Sequence, residues 1–177
     1  WGLNGAPFST YGLNSTDPLQ MTTSIAKDPA SKYVWSLCTY SDANQNDYGV
    51  YVQKFDTATG AVMLNPLGKE VYPISAARDQ VCGSLTLVDD APLFSSYEDV
   101  TYKIYGTRLD TAGNFVWPGN RVELSSTTAT MAVPKGRFAF SGAVNGQSVA
   151  VWYEDRGSGY RVYAQNLTST APVPVKL

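Results

Sequence analysis

Hydrophobic and polar residues alternate along most of this chain, and turn residues interrupt the alternation at short intervals. In the middle of the chain the alternation predicts four strands, over residues 80–88, 92–97, 101–109 and 114–124. Turns at Asp89-Asp90, at Glu98-Asp99 and at residues 110–113 separate them. Short consecutive strands joined by tight turns predict a four-stranded antiparallel meander. Helical periodicity with capping residues is not sustained for ten residues anywhere in the sequence.

The same plan recurs towards the end of the chain. Residues 137–144, 148–153 and 160–167 are predicted strands, and Asn145-Gly146 lies between the first two. Both residues tolerate the positive φ that a type I′ hairpin turn requires. This dipeptide is the strongest single hairpin signal in the sequence.

Two landmarks repeat along the chain with a common period. One is a tyrosine in the third strand of each unit, with spacings of 54 and 58 residues: Tyr51, Tyr105 and Tyr163. The other is a tyrosine shortly before an acid in the second strand, with spacings of 57 and 56 residues: Tyr40, Tyr97 and Tyr153. Because independent landmarks share one period, the sequence predicts three copies of a single unit.

A meander of this length cannot cover both of its faces alone, so the copies must stack on one another, as the blades of a β-propeller do. The units resemble the repeats of secreted bacterial β-propeller proteins, whose pattern is Trp-x-Asp-x-Arg-x-Gly, then Ile-Tyr-x-Gln-Arg-Leu-Asp, then Gly, Trp and Gly. The last unit matches this pattern at residues 152–157 and 162–165. The middle unit matches it at residues 104–110, and the first unit at residues 51–56.

The resemblance implies an all-β fold, in which the whole chain forms one propeller-like region. The expected blades cover about residues 12–75, 76–130 and 131–177, and residues 1–11 form a stray outer strand. Three blades are fewer than the four to eight that usually close a ring. The chain is therefore either part of a longer parent with more blades, or one of two copies that complete a ring together. We favour the longer parent, because Trp1 falls in the middle of a unit.

The composition excludes several classes of catalytic site, metal site and binding partner. The 177 residues contain no histidine, which excludes Ser-His triads, Cys-His dyads and histidine-bound zinc, and we expect no cofactor. With a net charge of −2 and 16% charged residues, nucleic acid is not an expected partner. No apolar run approaches the roughly 20 residues that cross a bilayer, so membrane insertion is not expected either. The expected partners are further blades, a second copy, a glycan or a surface protein.

The loop at residues 42–49 is a candidate calcium site, because Asp42, Asn44 and Asn46 place oxygen ligands at alternate positions. Asp47 stands at the sixth position of the loop, where calcium loops have Gly, and Gln53 stands at the twelfth, where they have Glu. We favour a polar hairpin without metal.

Paired carboxylates are the catalytic option that remains without histidine, because such a pair can hydrolyse glycosides. The adjacent acids are Asp89-Asp90, Glu98-Asp99 and Glu154-Asp155. Neighbouring residues on a strand point to opposite faces, so the members of a pair do not face one another. We interpret them as turn residues and predict no catalytic residue.

Aromatic side chains stack on sugar rings and are candidates for binding. Those that recur in every unit are expected to pack between blades. The non-recurring aromatics are the weak candidates for a ligand surface: Tyr11, Tyr48, Phe94 and Tyr160.

The remaining candidates are attachment sites and the two cysteines. Thr57 and Thr111 lie in Asp-Thr-Ala triplets, which look like the O-glycosylation acceptor of exported Bacteroidetes proteins, and Asn14 and Asn166 fit the N-glycosylation triplet. Cys38 and Cys82 could form one disulfide, or could be two small buried hydrophobic residues.

These observations favour a non-catalytic binding or scaffolding module of a larger exported bacterial protein, secreted or at the cell surface, with carbohydrate as a possible ligand. Two alternatives stay open. One is a fragment of a carbohydrate-active propeller enzyme, a glycoside hydrolase or lyase. The other is a passenger of the type IX secretion route, which the repeats resemble.

Overall fold

Strands and turns make up the part of the chain that the structure describes. The computed structural model describes residues 19–66, 68–75, 80–98, 101–125 and 135–168, and it contains eleven strands and no helix in these ranges. These residues accordingly include no helix able to cross a membrane. The strands form three antiparallel sheets.

Sheet 1 is a meander whose four strands pair in chain order. Its strands are β1 (Leu19–Ala26), β2 (Tyr33–Ser41), β3 (Tyr48–Asp56) and β4 (Lys69–Ser75). Strands β2 and β3 are mostly buried, because they are the two central strands of sheet 1. Strand β4 is the half-exposed outer edge.

Sheet 2 repeats this topology. Its strands are β5 (Gln80–Val88), β6 (Ala91–Glu98), β7 (Lys103–Arg108) and β8 (Val122–Glu123). The fourth strand is much shorter than the predicted stretch 114–124. Pro118 has no N–H to donate to a ladder, and Gly119 and Asn120 have φ values of 72° and 68°, so a turn replaces most of the strand.

Sheet 3 contains three strands within the described residues. They are β9 (Lys135–Phe140), β10 (Gln147–Asp155) and β11 (Tyr160–Thr168), with β10 in the centre. Between β9 and β10, Asn145 and Gly146 have φ values of 52° and 70°. Positive φ at both positions is what the predicted type I′ turn requires.

The sheets stack face to face, with sheet 2 in the middle. The core between sheets 1 and 2 contains Trp35, Leu37, Val50, Val52, Cys82, Phe94 and Leu109. The core between sheets 2 and 3 contains Val88, Leu93, Ile104, Trp117, Leu124, Ala150, Trp152 and Leu167. Each large side chain buried in this way contributes about 2 kcal/mol. Stacking of repeated sheets therefore supplies the interior that a single meander lacks.

Strand register corrects one of the sequence landmarks. Tyr40 pairs with Gly49, Glu98 with Lys103, and Glu154 with Arg161. Since residues 49, 103 and 161 occupy the same position of the third strand, Tyr40 is equivalent to Glu98 and Glu154. The match of Tyr40 with Tyr97 and Tyr153 is therefore displaced by one residue.

Candidate functional site

The acid pair Asp89-Asp90 forms the tight turn between β5 and β6, where both residues have positive φ. The Asp89 carboxylate accepts a hydrogen bond from Arg108 at 3.3 Å. The Asp90 carboxylate accepts one from the Ser31 hydroxyl at 3.0 Å, which links the turn to sheet 1. Both acids therefore form the turn, and Asp90 also links it to sheet 1.

Glu98 ends strand β6, and its side chain is fully buried. It accepts a hydrogen bond from the Thr101 hydroxyl, and its carboxylate lies 3.6 Å from the Arg121 guanidinium. The Arg121 guanidinium in turn stacks 3.7 Å from the centre of the Tyr105 ring. Burial raises the pKa of Tyr105, and the nearby Arg121 charge opposes that increase.

Glu154 repeats this arrangement in sheet 3. Its buried carboxylate accepts hydrogen bonds from the Trp152 indole and from Arg156, both at 3.1 Å. Arg156 stacks 3.7 Å from the centre of the Tyr163 ring. The neighbouring Asp155 instead accepts backbone hydrogen bonds in the next turn. An arginine pairs with each of the two buried glutamates, whereas Asp99 lies outside the described residues.

The candidate calcium loop is held by hydrogen bonds from its own backbone. The Asp42 carboxylate accepts N–H groups of Asn44, Asn46 and Asp47 at 3.3, 2.7 and 3.0 Å. These bonds, that of Asp47 first, lower the pKa of Asp42. A polar hairpin therefore accounts for the loop. Across the described ranges, no group of three or more acidic or cysteine side chains is placed to hold a metal ion.

The aromatic ligand candidates do not converge. Phe94 is fully buried in the core between sheets 1 and 2, so its assignment to a ligand surface is wrong. The Tyr48 hydroxyl donates to the Gln45 carbonyl at 2.7 Å, and the exposed Tyr160 packs edge-on against Tyr153 in sheet 3. Tyr11 lies outside the described residues.

The two candidate threonine acceptors lie in equivalent turns. The Thr57 hydroxyl donates to the Lys32 carbonyl at 2.8 Å, so it is engaged within sheet 1. Thr111 is exposed, and its carbonyl accepts a hydrogen bond from Lys54 at 3.0 Å. The Asn166 amide donates to Gln147 at 3.3 Å, whereas Asn14 lies outside the described residues.

Cys38 and Cys82 are buried free thiols, so the disulfide is not formed. Cys82 belongs to the core between sheets 1 and 2. Cys38 packs in a separate cluster with Tyr40 and Tyr51, on the other face of sheet 1. Burial raises the pKa of Cys38 to about 11 and also raises the pKa of Cys82. Both thiols therefore behave as small hydrophobic side chains.

A groove of about 690 Å³ runs beside the outer strand β4 of sheet 1. On one side it is lined by Tyr51, Lys69 and Glu70, and on the other by residues 112–114 of the turn that follows β7. The two walls are tied together because the Lys54 ammonium donates to the Thr111 carbonyl. Two sheets of the stack thus build the groove jointly.

The polar groups of the groove offer donors and acceptors close together. The exposed Glu70 carboxylate accepts a hydrogen bond from the Tyr51 hydroxyl at 3.0 Å. The Lys69 ammonium lies 4.8 Å from the centre of the Phe115 ring. On the opposite wall, the Asn114 amide donates to Asp110 at 3.0 Å, and this bond is the main cause of the lowered pKa of Asp110.

Apolar surface adjoins these polar groups. Met63 and Leu64 line the groove, and Gly113 lies so near Leu64 that an added Cβ would meet the leucine side chain at 3.2 Å. Apolar surface with a few fixed donors and acceptors is typical of sites that bind small molecules. Glu70 is the one carboxylate among the described lining residues, and two are needed for glycoside hydrolysis. By itself, the groove is equipped for binding.

Sequence reasoning missed Lys69, Glu70 and Asn114 as site residues. They come from different sheets, and none belongs to a motif that recurs in each unit.

Comparison with known proteins gives one informative structural match. No protein-family profile matches the sequence, and no curated protein matches it significantly. The fold is similar to that of an endo-arabinase from Bacteroides thetaiotaomicron, with a TM-score of 0.52 and 14% sequence identity. The match covers 93% of this chain and 60% of the endo-arabinase chain. At this identity the likeness concerns the fold.

This match corrects one expectation from the sequence. The chain was expected not to be an enzyme, yet the solved protein that shares its fold is a β-propeller enzyme. The all-β fold agrees with the expectation.

Proposed function

We propose that this chain forms three neighbouring blades of a carbohydrate-active β-propeller enzyme, a glycoside hydrolase or a lyase. The observation that carries the proposal is the structural match to an endo-arabinase over 93% of the chain. Since the chain spans 60% of the length of that enzyme, part of the catalytic machinery is assigned to blades beyond it.

The groove beside β4 supports this assignment. Its Lys69 ammonium, Glu70 carboxylate and Asn114 amide can exchange hydrogen bonds with sugar hydroxyls, and Met63 and Leu64 offer apolar contact to the faces of sugar rings. In this proposal the groove binds part of a polysaccharide chain, while the carboxylates that cleave it lie elsewhere in the propeller.

The proposal implies a location outside the cell, because polysaccharides are met there. An extracellular or cell-surface location fits the Bacteroides enzyme that shares the fold. Export by the type IX route remains a prediction from the resemblance of the repeats.

The test is an activity screen of the protein at its natural length against a polysaccharide panel that includes arabinan. A hydrolase releases reducing ends, and a lyase releases products with an unsaturated, ultraviolet-absorbing sugar. Combined Lys69→Ala and Asn114→Ala substitutions are expected to raise KM about 5-fold to 150-fold with kcat unchanged, because the two lost hydrogen bonds cost about 0.5–1.5 kcal/mol each.

The matched control is Arg161→Ala, which removes an exposed cation from sheet 3, away from the groove. It should leave KM unchanged. Absence of product from every polysaccharide, with a correctly folded protein, contradicts the enzymatic function. Cleavage with an unchanged KM in the Lys69/Asn114 variant retains the enzyme and rejects the groove as a binding site.

A further inference from the structure

The outer face of sheet 3 is apolar and open. Along β10 the side chains of Ala150 and Trp152 pack against sheet 2, so the alternate positions face the other way. On that opposite face lie Val149, Val151, Tyr153, Tyr160, Val162 and Ala164. Val162 is 72% exposed and Tyr160 is 61% exposed. Contiguous apolar surface of this kind marks an interaction site.

The internal repeat indicates what this face is for. Val50, Ile104 and Val162 occupy the same position in the third strand of the three sheets. Val50 is 0% exposed and Ile104 is 1% exposed, against 72% for Val162. The position is therefore a core position in both sheets that have a following sheet stacked on them. Only in sheet 3, among the three, is it uncovered.

The two existing interfaces define the chemistry of the missing neighbour. Val50 belongs to a core cluster with Phe94 and Leu109 of the sheet that follows it. Ile104 belongs to a cluster with Trp152 and Leu167 of the next sheet. In both cases the following sheet contributes an aromatic residue from its second strand and a leucine at or just beyond the end of its third.

We propose that this face of sheet 3 docks a fourth antiparallel sheet of the same repeat, which carries an aromatic residue on its second strand and a leucine at the end of its third. The endo-arabinase chain is longer than this chain, which covers 60% of it, so a further sheet is compatible with the length of that protein. The inference concerns assembly of the fold and does not depend on enzymatic activity.

A second copy of the chain fits the open face less well. Head-to-tail stacking would bring sheet 3 of one copy against the free side of sheet 1 in the next. On that side Cys38, Tyr40 and Tyr51 are already buried within a single chain. Ile25, which pairs with Ser36 on that side, is 74% exposed, so the open face of sheet 3 meets only a small open counterpart at the other end of the stack.

Cysteine labelling of the protein at its natural length tests the proposal. Val162→Cys places a thiol on the open face, and Val144→Cys is the matched control, since Val144 is 70% exposed in the turn before β10. Cys38 and Cys82 are buried, so the background reaction with a maleimide is low. If a fourth sheet covers the face, the thiol introduced by Val162→Cys is expected to react at least about 100-fold more slowly than the thiol introduced by Val144→Cys. The protein should remain monomeric in this experiment.

Equal labelling rates at the two positions overturn the proposal. Protection that vanishes on dilution, together with a dimer in light scattering, also overturns it and identifies a second copy as the occupant. Hydroxyl-radical footprinting of the unsubstituted protein keeps the test independent of folding of the variants. Tyr160 should be modified as slowly as the buried Tyr51, and rapid modification of Tyr160 counts against the fourth sheet.

Discussion

Trp35 of sheet 1 donates its indole N–H to the backbone carbonyl of Asp90 in sheet 2, at 3.1 Å. The side chain of Trp35 is fully buried. Ser31, four residues earlier, donates to the carboxylate of the same Asp90 at 3.0 Å. The turn between β5 and β6 is therefore fixed to the preceding sheet by two side chains, in addition to the apolar core.

Replacing Trp35 with Phe tests the contribution of this contact between the sheets. The substitution keeps an aromatic ring but leaves the Asp90 carbonyl without its donor, so we expect a loss of about 1–3 kcal/mol in the free energy of unfolding. The measurement is denaturant unfolding followed by circular dichroism.

Trp117→Phe is the matched control for this substitution. Trp117 is equally buried, but its indole N–H has no hydrogen-bond partner in the described part of the chain. Trp117→Phe should cost less than Trp35→Phe, since no hydrogen bond is lost. An equal cost for the two variants would show that ring size, not the bond to Asp90, sets the effect.

The repeats were predictable from the sequence because ladder pairing and sheet stacking require similar side chains at similar positions. The displaced match of Tyr40 has a physical cause. The hairpin between the second and third strands runs from Tyr40 to Gly49 in sheet 1 but from Glu98 to Lys103 in sheet 2. Asp42 is fixed by the hydrogen bonds of its loop, whereas Tyr40 is fixed by the ladder. The sequence motif does not show that the acid is positioned by its loop and the tyrosine by strand pairing. Matching the motifs between sheets therefore displaced Tyr40 by one residue.

The groove was not predictable for a different reason. Lys69 and Asn114 are 45 positions apart in the sequence, and stacking of two sheets brings them to the same groove. Lys69 lies in an edge strand and Asn114 is held in the Asp110 turn, but neither belongs to a motif that recurs in every unit. Sites made between repeats depend on how the sheets are placed, which periodicity does not specify.

Removing Arg121 tests the buried carboxylate of Glu98. Arg121→Leu leaves that charge without its guanidinium partner at 3.6 Å, and we expect a loss of about 3 kcal/mol in the free energy of unfolding. Adding Glu98→Gln to the same chain removes the unpaired charge and should restore part of that loss. A double-mutant cycle measures the coupling between the two residues. Additive losses from the two substitutions would mean that Glu98 and Arg121 are not coupled.

The Gly113 turn tests how tightly the groove wall is packed. Gly113→Ala adds a Cβ at φ 87° that meets Leu64 at 3.2 Å, whereas Gly119→Ala adds one at φ 72° with nothing within 4 Å. The positive φ alone costs about 1–2 kcal/mol in both variants. We expect the loss in unfolding free energy to be larger for Gly113→Ala, with sugar binding weakened only there. Equal losses would mean that Leu64 moves aside freely.

The pH dependence of stability tests the burial of Cys38. Burial raises the pKa of this thiol from its ordinary value of 9.0 to about 11. Below pH 9 the thiol is neutral in both the folded and the unfolded chain, and its contribution to stability is fully present. Between pH 9 and about pH 11 the unfolded chain loses the proton and the folded chain keeps it, so stability falls as pH rises.

The expected loss attributable to Cys38 is about 2–3 kcal/mol by pH 11, at 1.36 kcal/mol for each pKa unit. Other groups titrate over the same interval, so the informative quantity is the difference between the native chain and Cys38→Ala, measured by urea unfolding at pH 8, 9.5 and 10.5. Cys38→Ala should lower stability at pH 8, because it leaves a cavity beside Tyr40 and Tyr51. Its deficit should shrink as pH rises, because the variant has no thiol to ionise. A deficit that stays constant from pH 8 to pH 10.5 would mean that the Cys38 thiol ionises equally in the folded and the unfolded chain.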